Sequence, residues 1–145
     1  MKTITYLFAA FVTAGMSASG ANAQAAEITI TGADGNQLMT ALEDMGIVTT
    51  YDHNGGYLML MAEVDCYMPV VPNPKAHCYV MESTQSAEIF DDGNLSTIVY
   101  SILKRNGGEY NDGSVGAVKV GLTQMSCYRS TYGRPNCTGQ AKDAL

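Results

Sequence analysis

From Leu58 the chain alternates in the manner of a long strand. Leu58, Leu60, Ala62, Val64 and Cys66 fall on one side, and Tyr57, Met59 and Met61 fall on the other. A second alternation starts at Val118 and runs through Val120 and Leu122, but it reaches Met125 and Cys127 only if one extra residue is accommodated. A single β-bulge near Thr123-Gln124 supplies that residue, because a bulge shifts the pleat by one without ending the pairing. Ahead of each strand the period lengthens to that of a helix. Leu38, Ala41, Leu42 and Met45 stand at i, i+3, i+4 and i+7, and so do Leu95, Ile98, Val99 and Ile102. Asp34 and Asp92 stand where an N-cap acceptor is wanted, and Gly46 and Gly107 stand near the C-terminal ends.

The order of these signals recurs. Ala26-Glu27-Ile28, Asp34-Gly35-Asn36, a helix, Gly56, a strand, Cys66-Tyr67, a Pro-containing loop and Cys78 are followed by a second such series. It runs Ala87-Glu88-Ile89, Asp92-Gly93-Asn94, a helix, Gly116, a strand, Cys127-Tyr128, a loop with Pro135, and Cys137. The pattern predicts an α+β fold of two tandem β-α-β-hairpin units, about 26–83 and 87–140. Their strands form one antiparallel sheet with both helices on one face. If equivalent units make equivalent bonds, Cys66 joins Cys78 and Cys127 joins Cys137, each closing a hairpin in a ring of 13 or 11 residues. Rings of that size contribute roughly 2–3 kcal/mol each by restricting the unfolded chain.

Composition and charge place this domain. Lys2, the apolar run from Ile4 to Met16 and Ala21-Asn22-Ala23 form the three parts of an export signal, so residues 1–23 read as a signal peptide and 24–145 as the mature domain. The apolar run is too short to cross a bilayer, so no membrane span is expected after signal removal. An even number of cysteines, all in the mature part, suits an oxidising compartment, periplasmic or extracellular. Formal net charge is −6, and it becomes −7 without Lys2, the wrong sign for binding a phosphate backbone. Nucleic acid is therefore not an expected partner.

Candidate chemistry is sparse, and no cofactor is implied. His53 and His77 sit in no recognisable catalytic motif, which argues against an enzyme. Met59 and Met61 point the same way from a strand and, with a nearby His, would suit Cu(I) in a periplasmic carrier; methionine is also a common filler of apolar surfaces. The face carrying Tyr57, Met59, Met61, Tyr79 and Met81 reads as an aromatic and methionine patch, whereas its counterpart Ala117, Lys119, Gly121 and Thr123 is small and polar. A patch on one unit points to a protein partner or a homodimer contact, or else to cover by the tail from Thr138 to Leu145.

The two stapled loops are the remaining candidates. The ring from Cys127 to Cys137 holds Arg129, Ser130 and Pro135, and it resembles the reactive loop of Bowman-Birk-type protease inhibitors. That resemblance covers about eleven residues, lacks the family's second proline, and differs in ring length. It implies Arg129 as specificity residue and Arg129-Ser130 as scissile bond, held by Cys127 and Cys137. In the other ring, Lys75-Ala76 is the corresponding basic bond. The tandem layout is similar to that of secreted β-lactamase-inhibitory proteins, although no motif of that family is matched. The sequence thus points to an exported, non-enzymatic binding protein, with inhibition of a secreted hydrolase as its most concrete form. A small-molecule or copper carrier is the alternative.

Overall fold

The computed structural model describes residues 26–51 and 54–142. The proposed signal segment and His53 lie outside the described residues. Strand β1 (Glu27–Ile30) leads into helix α1 (Gly32–Asp44), the short β2 (Thr50–Tyr51), the long β3 (Tyr57–Pro69) and β4 (His77–Glu82). The same order follows with β5 (Glu88–Asp91), α2 (Asn94–Arg105), β6 (Glu109–Tyr110), β7 (Ala117–Arg129) and β8 (Asn136–Ala141). Among the described residues the architecture is α+β, with two helices and one eight-stranded antiparallel sheet.

The sheet is centred on β3 and β7, which pair from Tyr57 with Arg129 to Pro69 with Ala117. Its path runs β1-β8-β7-β3-β4-β5, while β2 pairs with β3 and β6 with β7. One outer strand pairs across the length of the chain and the other with its neighbour in sequence. β1 hydrogen-bonds to β8, and β5 hydrogen-bonds to β4. Both disulfides form as the spacing predicts, Cys66–Cys78 and Cys127–Cys137, each between residues directly opposed in a hairpin.

The strand register departs from the simple alternation. The β3–β7 ladder passes over Ala62 and Gln124, which stand opposite each other. The register shifts at the same places against the outer strands, between Met61 and Glu63 on the β4 side and between Thr138 and Gln140 on the β8 side. A bulge therefore exists in β3 as well as in β7, and the first one reverses which side Leu58 to Met61 present. Met59 and Met61 are fully buried beside Val64 and Cys66, while Leu58 and Leu60 are only half-buried. Met59 and Met61 are core residues, a correction to the expected surface patch. They belong to one core cluster with Leu38, Leu42, Val99 and Leu103 of the helices and Val120, Leu122 and Met125 of β7.

The helices bury Leu38, Met39, Ala41 and Leu42 from α1 and Val99, Tyr100, Ile102 and Leu103 from α2; Ile98, expected on the buried stripe, is exposed. Their starts also differ from expectation. Thr31 precedes α1 and Gly93 precedes α2, neither giving a side-chain cap bond. Asp34 instead lies in the first turn of α1 and accepts hydrogen bonds from Arg105 Nη2 at 2.6 Å and Asn106 Nδ2 at 3.0 Å, tying the start of α1 to the end of α2. Both charges suit the helix dipoles they face. For α2 the missing cap is supplied by Asp91, whose Oδ2 accepts the N–H groups of Gly93 (3.1 Å) and Ser96 (2.9 Å). Gly46 and Gly107 follow the helices with φ of +105° and +94°, the left-handed turn that glycine makes without steric cost.

Candidate binding groove on the open sheet face

Because the disulfides lie on the core side, their neighbours along each strand must project from the opposite side. Asp65 and Tyr67 flank Cys66, and His77 and Tyr79 flank Cys78. All four are half-buried or exposed, and Phe90 of β5 joins them beside Tyr79. The rings form two contacts across three strands. Tyr67 and His77, opposed in β3–β4, stack with centroids 4.9 Å apart and planes 15° from parallel. Tyr79 and Phe90, opposed in β4–β5, meet at 5.2 Å with a 52° tilt. Phe90 is 71% exposed and Tyr67 44%. Together with Cys78, Asp65, Asp91 and Asp92 they line a groove of about 520 Å³.

The surroundings of the groove are acidic and highly connected. Tyr110 Oη donates to Asp65 Oδ1 at 2.5 Å, and Lys142 Nζ lies 3.5 Å from Asp65 Oδ2, bonds Glu63, and sits 4.8 Å from the centre of the Tyr110 ring. Burial and this bond to Asp65 together push the Tyr110 hydroxyl well above the usual phenol range. The Tyr79 hydroxyl is raised as well, by desolvation and then by the nearby charges of Glu88, Glu63 and Asp65. Asp91 is spent on α2: burial opposes its ionisation, but the bonds from Gly93 and Ser96 outweigh that and lower it. Asp92 is exposed and has no hydrogen-bond or ion-pair partner among the described residues.

The corresponding positions of the other hairpin are different. Ser126 and Tyr128 flank Cys127, and Asn136 and Thr138 flank Cys137, leaving one ring where the first hairpin and its neighbour carry four. The asymmetry expected between the two hairpins therefore exists, but only some of the expected residues carry it. Tyr79 and Met81 lie on the open face, Met81 opposite Glu63 and Glu88. Tyr57 packs against the core, with Arg129 4.6 Å from its ring centre and Tyr51 beside it. Residues 138–141, considered above as cover, belong to strand β8; Lys142 alone of the described tail reaches across to Glu63 and Asp65.

The loop candidates are pinned at their expected bonds. Arg129 is the last residue of β7 and pairs with Tyr57, while the Ser130 carbonyl accepts the Gly133 N–H at 3.2 Å in a tight turn. Tyr132 at the tip is fully exposed. Lys75 is exposed, but the next residue, Ala76, is buried and donates its N–H to Thr97 Oγ1 at 3.3 Å. All four cysteines are consumed in disulfides, and no group of three metal-ligating side chains stands together among the described residues. No helix among them is long and apolar enough to cross a membrane. Comparison of the chain with family models, with curated proteins and with solved structures finds no match.

Proposed function

We propose that the protein is an exported, non-enzymatic binding protein that holds a macromolecular partner on the open face of its sheet. The observation that carries this reading is the exposed ring cluster Tyr67, His77, Tyr79 and Phe90. A solvated sheet face normally carries small and polar side chains, as the other hairpin does. Exposed rings cost hydration free energy in the free protein and are enriched where partners dock. Two disulfides support a periplasmic or extracellular location.

The two halves are read as copies of one unit. In support, residues 61 apart share burial and conformation, one helical turn on from the Leu38–Leu95 frame that the stripes suggest, with Leu38 and Val99, Met39 and Tyr100, and Leu42 and Leu103 in the core and Gly46 and Gly107 in left-handed turns. In this reading one copy has kept a plain face and the other has acquired a binding one.

The test is affinity capture on immobilised full-length mature chain, comparing wild type with a Tyr67→Ala, Phe90→Ala double variant and with Ile98→Ala on the helix side. Both sites are exposed, so folding should survive. Retention lost in the first variant and kept in the second is expected. Equal retention by both would overturn the open-face assignment.

A further inference from the structure

His77 and Tyr79 point the same way from β4 and stand ~7 Å apart along it. Each is backed by a ring from a neighbouring strand, Tyr67 beside His77 and Phe90 beside Tyr79. The slot between them is bordered by carboxylates, and neither Lys nor Arg is among its lining residues. Of those carboxylates, Asp91 is committed to α2 and Asp65 to Tyr110 and Lys142, which leaves Asp92 available. An apolar rim lies at the same end of the sheet. Just beyond Pro69 the Val70 N–H bonds the Gly116 carbonyl at 2.9 Å, which brings the segments carrying Val70, Val71 and Val115 side by side, these valines being 70%, 54% and 95% exposed.

Aromatic faces attract cations, and a carboxylate at the edge fixes their orientation. A planar guanidinium meets both demands better than an ammonium, since it stacks on a ring and still presents paired donors in its own plane. The open groove would cover a free small cation on one side only. A side chain carried by a protein brings its own surface to close the other side, and the valine rim offers that surface an apolar contact.

We propose that the groove receives an arginine side chain of a protein partner, its guanidinium against the ring cluster and its donors on Asp92, with the residues flanking that arginine on the valine rim. This rests on the open-face reading above and names the chemistry of its partner.

The experiment is an NMR titration of the ¹⁵N-labelled mature chain with the peptide acetyl-Gly-Val-Arg-Val-Gly-amide, its citrulline counterpart, and tetramethylammonium chloride. The arginine peptide should shift amides of Tyr67, His77, Tyr79 and Phe90 saturably. Citrulline should weaken it at least about fivefold, and Asp92→Asn or Phe90→Ala should do so by about threefold to tenfold, the range of one lost cation–π or charge contact. Equal shifts from citrulline, or none from either peptide, would overturn the arginine assignment. Tetramethylammonium binding as tightly as the arginine peptide would also overturn it, in favour of a small-cation site.

A photo-crosslinker at position 90 separates this from the broader reading. A partner captured there but not displaced by the arginine peptide refutes the arginine inference and leaves the open face in place. Partners captured only from a crosslinker at position 98 refute both.

Discussion

Ala62 stands directly across from Gln124 in the β3–β7 pair, and the ladder passes over both. At Gln124 the bulge demands a φ of +49°, a conformation that costs a side-chain-bearing residue about 1 kcal/mol or more. Gln124→Gly should therefore raise stability by roughly 0.5–1 kcal/mol, although glycine ordinarily weakens a strand. Gln124→Val should lower it. Chemical denaturation of the two variants beside wild type checks the sign.

The companion bulge at Ala62 decides which methylene-rich side chains build the core. Met61→Ala should cost about 2–5 kcal/mol, as deletion of a fully buried side chain does. Leu60→Ala, one residue away on the open face, should cost only about 1 kcal/mol. An uninterrupted alternation from Leu58 to Cys66 would reverse the order. Urea midpoints of the two single variants distinguish the arrangements.

Gly35 tests a packing constraint against intrinsic propensity. Alanine in a helix is normally better than glycine by about 1 kcal/mol. A Cβ at Gly35, however, would lie 2.6 Å from the Pro135 carbonyl oxygen and 2.9 Å from that of Ile30, both backbone atoms. Gly35→Ala should therefore lower the melting temperature, and a rise would show that α1 can move away from the β7–β8 loop.

Asp34 supplies a pH test. The bonds from Arg105, then Asn106, lower its carboxyl from 3.8 to about 2. A depressed folded-state value means the contribution is present above about pH 4 and is lost as pH falls from about 4 towards 2. The difference in melting temperature between wild type and Asp34→Asn should be largest at pH 5 and should shrink by pH 2. Because Arg105 is half-exposed, 1 M salt should also narrow it at pH 5.

Much of the fold is legible in the sequence because its signals are local. The helical stripes and terminal glycines mark α1 and α2, and the matched cysteine spacings fix both disulfides. The parity of β3 is not legible, because Leu58, Met59, Leu60 and Met61 are all apolar and either face could serve the core. Assigning the bulge to β7 alone then sends Met59 and Met61 to the wrong side. The groove is harder still, since Tyr67, His77 and Phe90 come from three strands and carry no shared motif. One usable signal exists: a strand cysteine in a core-side disulfide forces its neighbours outward, which marks Asp65, Tyr67, His77 and Tyr79. Phe90 needs the β4–β5 pairing, a hairpin whose turn, residues 83–87, holds no glycine or asparagine to mark it.

The long-range pairing of β1 also sets a timetable. β1 has its hydrogen-bonding partner in β8, from Ile30 with Cys137 to Glu27 with Gln140. A chain emerging N-terminus first therefore carries β1 unmatched until β8 has followed it. Closure spans so much chain that it pays its loop entropy late, and such long-range pairings are slow to form. The sheet cannot close at β1 until the β7–β8 hairpin has formed, so β8 is the strand that completes it.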